Sequence, residues 1–154
     1  MKNTDVKIIQ FEPRYRDDLI FMILEAKNAL GRVPGLNEDL LDIEKHYFAK
    51  GDRFWIAVDE HDRVIGSVGY NSIPDTSEIR LHRLFVKADL KHQSIGTKLL
   101  ATAEAYAKEH GKTAIYVHLG TPKEQWSESY RFYPKHGYAV YDVAKPNYMK
   151  KEMT

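Results

Sequence analysis

The 154-residue chain contains no cysteine. That excludes disulfides, thiolate metal sites and a cysteine nucleophile, and it fits a reducing compartment. Nor does one sign of charge dominate: 23 Lys and Arg stand against 22 Asp and Glu, a net charge of +1. No global field draws such a chain to nucleic acid or to a membrane surface. No apolar run approaches the roughly 18 residues of a membrane span, and the start, Met1 to Lys7, lacks the apolar stretch of a secretion signal. Cytoplasmic is therefore the expected location. P-loop Gly-Lys-Ser/Thr and the triple glycine of dinucleotide binders are both missing, which weighs against a nucleotide binder. There is no repeat, low-complexity tract or linker. A length of 154 with 43% hydrophobic residues suits a single domain spanning 1–154.

The elements follow from periodicity. Val6 to Phe11 reads as a strand. Pro13 opens a helix whose apolar positions run from Leu19 to Leu30, with Gly31 as its stop. Asn37 is expected to cap a second helix carrying Leu40, Leu41, Ile43, Tyr47 and Phe48. Phe54–Val58 and Val64–Tyr70 read as two strands joined by a hairpin. Glu78–Val86 is a third, and a long amphipathic helix runs from Ile95 to Gly111. Thr113–Leu119 is another strand. Thr121, Pro122 and Glu124 have capping-box spacing for a helix that Pro134 should end. Tyr138–Tyr141 and Tyr148–Met153 close the chain. The order predicts an α+β (mixed α/β) fold: a mostly antiparallel twisted sheet of about seven strands flanked by about four helices.

The segment 79–100 carries the most chemistry. A strand passes through a short polar turn into a helix start, where unpaired N–H groups and the positive end of the helix dipole favour phosphate oxygens. Lys87, Lys91, His92 and Lys98 surround it, with Asp89 the one opposing charge.

These residues resemble the cofactor signature of the GNAT acetyltransferase superfamily: a basic or amide residue, any two, Gly, any one, then Gly or Ala. Lys91 takes the first position, Ser94 stands for the first Gly, and Gly96 is the second. Ser94 can serve if the backbone there does not require φ > 0. A second family motif lies on the late helix, where Tyr133, Gly137 and Tyr138 match, Ser127 replaces an Asn and Tyr130 an Ala. The resemblance covers nearly the whole chain in element order and length.

The resemblance implies acetyl transfer from acetyl-CoA, with no metal, to a primary amine on a small molecule or peptide, by direct attack in a ternary complex. It implies that Lys91, His92, Gln93, Ser94, Ile95, Gly96, Thr97 and Lys98, together with Ser127, hold the cofactor. Leu84, Phe85 and Val86 would pair with its pantetheine arm as with an added strand. Tyr133 matches the family's general acid. The carboxylate that many members carry six residues before Val86 falls on Arg80 here. Two-residue alternation puts Glu78, Arg80, His82, Leu84 and Val86 on one face. That leaves His82, Glu78 acting through water, or a water chain alone as the base. No other histidine has metal-ligand spacing. Residues 28–37, with Arg32, are the expected substrate wall. Family members are often dimers, and strands 138–153 are the candidate interface. The alternative is a catalytically silent acyl-CoA-binding module, motivated by Arg80, Ser94 and Ser127.

Overall fold

The computed structural model describes residues 6–29, 36–90, 94–121 and 123–153. Seven strands form one sheet: β1 (Lys7–Gln10), β2 (Arg53–Val58), β3 (Val64–Ser72), β4 (Glu78–Val86), β5 (Ala114–His118), β6 (Ala139–Val140) and β7 (Tyr148–Glu152). Their order is β1-β2-β3-β4-β5-β7-β6. All neighbours are antiparallel except β4 and β5. A parallel pair needs a crossover, and α3 (Ile95–Glu109) supplies it. The other helices are α1 (Arg16–Ala29), α2 (Ile43–His46) and α4 (Ser127–Lys135). No helix among the described residues is long and apolar enough to cross a membrane.

The sheet has a core on each face. On one, Ile95, Leu99, Leu100, Ala103 and Ala107 of α3 pack on Ile79, Leu81, Ile115 and Val117. On the other, Leu19, Met22 and Ile23 of α1 pack on Phe54, Ile56 and Val58. Burying one such side chain contributes about 1.5–3 kcal/mol. Gly66 lets α3 approach closely, because a Cβ there would stand 2.8 Å from Leu99 Cδ1. Burial on both faces explains why β3 reads as a continuous apolar run rather than an alternating one.

Three expectations are corrected. The second helix is broken into short 3-10 and α turns between Glu38 and Lys50. Asn37 does not cap it; its Oδ1 instead accepts from Lys27 Nζ at 2.6 Å, and Asp42 caps α2 through Lys45 N at 3.1 Å. The late helix opens as a 3-10 turn over Lys123–Trp126 and becomes α-helical at Ser127, while Pro122 of the expected capping box lies outside the described residues. Pro134 sits one residue from the helix end, as its missing N–H demands.

The third correction concerns β4. Register against β3 slips between Ser67 and Gly69, so that Phe85 opposes Ser67 but His82 opposes Gly69. The extra residue is accommodated at Arg83, which adopts φ 57°. A bulge reverses the alternation beyond it. Leu84 and Val86 therefore pack with Ile79 and Leu81 in the α3-side core, not on the face of His82. Phe85 turns to the α1 side. Ser67, fully buried, donates its hydroxyl to the Arg83 carbonyl at 2.7 Å. Ser67→Ala should cost about 1–2 kcal/mol, because it leaves that carbonyl without its donor. Urea unfolding measures this, and an unchanged midpoint would show that the bulge does not depend on the bond.

Candidate active site

β4 and β5 run paired from Glu78↔Ala114 to Leu81↔Val117 and then part. Among the described residues, β4 beyond Leu81 has no partner on that side, although its other edge stays bonded to β3. Beside the fork lies a cleft of about 440 Å³ whose walls are Leu84–Val86, the start of α3 and one face of α4. Ser94, Ile95, Gly96, Thr97 and Tyr133 line it. Lys98 and Ser127 do not. Lys98 commits its backbone N–H to the Ser94 carbonyl at 3.0 Å. Lys91, His92, Gln93 and Arg32 lie outside the described residues.

Ser94 stands at the head of α3 with φ 65°, ψ 14°, and its side chain makes no cap bond. The first Gly of the signature therefore answers a real backbone demand, which Ser meets with strain. Helix geometry leaves the N–H groups of Ile95, Gly96 and Thr97 without intrahelical acceptors. A Cβ on Gly96 would stand 3.6 Å from both Phe132 and Val86, so its absence keeps the cleft floor low. Arg131, Lys135 and His136 of the α4 side add basic groups, with Glu128 opposing. His136 Nε2 lies 3.4 Å from Thr97 Oγ1. N–H groups without intrahelical acceptors, cations and a low floor suit a pyrophosphate joined to a slender arm.

Sequence reasoning missed Glu128, Ser129, Arg131, Phe132 and Lys135 as lining residues. The signal lies in helical spacing: Ser129 stands four residues before Tyr133, and 128/132 and 131/135 are further pairs four apart.

Tyr133 is 8% exposed, and burial raises its pKa, so the phenol stays protonated at working pH. Among the described residues its hydroxyl makes no hydrogen bond. Tyr130, by contrast, is engaged, donating to the Gly120 carbonyl at 3.1 Å.

His82 lies at the fork on the α1 side. Tyr47 Oη is 3.3 Å from its Nε2, and Tyr47 donates to Asp39 Oδ2 at 2.5 Å. Arg83 grips both Asp39 oxygens, Nη2 to Oδ1 at 2.9 Å and Nε to Oδ2 at 3.1 Å. Burial works to raise the Asp39 pKa, but the Arg83 and Tyr47 hydrogen bonds outweigh it and hold it below the ordinary range. Burial, reinforced by the Arg83 charge, lowers His82 to about 4. Glu78 sits four residues before the fork and accepts from Tyr116 Oη at 3.1 Å. His118 stacks on Tyr148, and His136 faces Thr97.

The family model described as the Acetyltransferase (GNAT) family matches residues 20–138. This chain belongs to the GNAT acetyltransferase family. Its sequence is 32% identical over 120 residues to a probable N-acetyltransferase camello of Xenopus laevis, covering 76% of this chain and 52% of that protein. The chain spans about half or less of the length of the curated relatives it matches. Its fold superimposes on a GNAT acetyltransferase from Staphylococcus aureus with TM-score 0.84 at 25% identity, covering 97% and 99% of the two chains. PaiA N-acetyltransferase from Thermoplasma acidophilum, solved in complex with coenzyme A, gives TM-score 0.75 at 20% identity over 96% and 99%. That second likeness concerns the fold. In this GNAT chain the late-helix motif, the α3 head and the open β4 edge meet at one cleft.

Two outcomes follow from the site. Ser94→Gly should raise stability by about 0.5 kcal/mol, relief of the left-handed strain being partly offset by glycine's entropy in the unfolded chain. A loss of stability in urea would mean that the Ser side chain carries a needed contact. His82 is held neutral in the fold while its unfolded counterpart protonates near pH 6.5. Its contribution is thus complete above pH 6.5 and lost as pH falls toward about 4. That loss amounts to about 3 kcal/mol at most. His82→Gln should flatten the stability–pH curve in this window, and a curve unchanged by the substitution would contradict the buried neutral imidazole.

Proposed function

We propose that this protein transfers an acetyl group from acetyl-CoA to a primary amine by direct attack. The observation that carries the reading is the convergence, on one cleft, of the uncapped α3 head, the free β4 edge and the buried Tyr133 phenol. N–H groups of Ile95, Gly96 and Thr97, with Arg131 and Lys135 nearby, would hold the pyrophosphate. Leu84–Val86 would pair with the pantetheine arm, which directs the thioester toward the fork.

The amine nitrogen forms its bond to the thioester carbon as the carbon–sulfur bond breaks. The departing thiolate takes a proton, and Tyr133 is the donor on the α4 wall. The amine must arrive neutral or lose a proton. His82 is the base we favour, because it is neutral at physiological pH and stands where β4 leaves β5.

Its surroundings favour one ring nitrogen over the other. Tyr47 has a single proton, and the anionic Asp39 takes it. Tyr47 Oη can then only accept from His82 Nε2, so Nε2 carries the hydrogen and Nδ1 presents the lone pair. Asp39, Tyr47 and Arg83 are positioning residues in this account. Glu78 is occupied by Tyr116 and is the weaker candidate.

Acetyl-CoA at 100 times its dissociation constant should add about 2.7 kcal/mol, a rise of about 5–10 °C in Tm. Tyr133→Phe should keep that rise and lose about 100-fold or more in kcat, measured by thiol release. No stabilisation by acetyl-CoA or CoA would overturn the reading. Stabilisation without thiol release from any amine would favour the silent acyl-CoA-binding alternative.

A further inference from the structure

The sheet face that carries His82 holds a second group of donors at the fork. Arg80 pairs with Tyr116 and Leu81 with Val117, so His82 and His118 are the next residues of the two strands as they part, on the face that carries Arg80. Successive residues on one face of a strand stand about 6.8 Å apart. Arg80 Nη1 donates to His118 Nδ1 at 3.3 Å. A guanidinium only donates, so His118 Nδ1 accepts and its Nε2 carries the hydrogen. Burial, then the charges of Arg80 and Lys145, lower the His118 pKa and keep the ring neutral.

The His118 ring stacks on Tyr148 at 3.9 Å between centroids. Lys145 Nζ lies 5.4 Å from the Tyr148 centroid. Three elements (β4, β5 and the chain entering β7) thus bring a guanidinium, an imidazole N–H and an ammonium to one place. Among the described residues neither Arg80 nor Lys145 forms an ion pair. Glu78, one row away on the face of Arg80, keeps its negative charge while accepting from the Tyr116 hydroxyl. Among the described residues no carboxylate stands within ion-pair distance of Arg80 or Lys145.

We propose that Arg80, His118 and Lys145 bind a carboxylate on the acceptor, so that the amine substrate is an amino acid or a peptide-like compound with a carboxylate close to its amine. The inference rests on the acetyl-transfer reading only for the identity of that ligand as the acceptor. With the carboxylate against Arg80 and His118, a neighbouring amine reaches the His82 row. A polyamine would instead meet the positive charges of Arg80 and Lys145. The arginine where many relatives have a carboxylate thereby becomes a selectivity element rather than a lost base.

The test uses the full chain loaded with coenzyme A and follows the His118 imidazole by NMR. The probes are L-alanine, L-leucine, L-phenylalanine and L-lysine, each beside the amine that lacks its carboxylate. Amino acids should shift His118 saturably and the decarboxylated amines should not. Arg80→Gln should raise the half-saturation at least about tenfold. Equal responses from both members of each pair, no response to any amino acid, or a His118 shift caused by coenzyme A itself would overturn the proposal. Thiol release separates the two readings. Saturable carboxylate binding without turnover removes acetyl transfer and keeps the anion site. Turnover of the decarboxylated amines with equal kcat/KM keeps acetyl transfer and removes the anion site as a selectivity element.

Discussion

The parting of β4 from β5 after Leu81 is the constraint on which everything else in this molecule hangs. Here the bulge at Arg83 turns β4 while its bonds to β3 persist. The bend costs a left-handed φ at a residue with a side chain, of order 1–2 kcal/mol. It is offset locally. Ser67 holds the Arg83 carbonyl from within the sheet, and Asp39 holds the Arg83 guanidinium from outside it. The same bulge sends Leu84 and Val86 to the α3 side and leaves His82 on the α1 side. One backbone irregularity thus divides the site between the two faces.

That division has an electrostatic counterpart. The α3 side offers unpaired N–H groups and the cations of α4, which suit the anionic cofactor we propose for the cleft. On the opposite side, the Asp39–Arg83 pair is compensated and partly buried. It engages the Tyr47 proton, and Tyr47 in turn contacts His82, the base we propose. A solvent-exposed pair of the same composition would contribute little. Partial burial makes this one specific, because removing either partner would leave a charge without its counterpart.

Much of the fold was legible because its elements obey simple periods. The α3 stripe, the paired β2 and β3 runs and the closing strands follow from them. The bulge was not legible. Strict alternation through His82-Arg83-Leu84 looks regular, and nothing about Arg83 announces a positive φ. Its cause is tertiary, since Ser67 lies on another strand and Asp39 in a segment that reads as helix. That segment also misled, because its apolar spacing is helical while its packing on Phe54 favours short turns. Within the site, the motif led to Ser94, Gly96 and Tyr133. Ser94 carried its own condition, a φ that need not be positive, and the backbone fails it. Phe132 and Arg131 escaped notice because a helix face, unlike a motif, must be read in register with its neighbours.

The fork has a consequence for how the chain behaves in company. Sheets ordinarily keep their unsatisfied edges at the margins, where charge, twist or brevity deters a foreign strand. This protein carries one at its centre: among the described residues, β4 beyond Leu81 has no strand partner on the β5 side. Such an edge is a template for strand addition, and the α4 aromatics Phe132 and Tyr133 stand over it as a partial guard. An extended ligand lying along that edge would act as a plug as well as a reactant. A ligand on that edge would then protect the sheet as well as react, coupling occupancy of the cleft to the solubility of the fold.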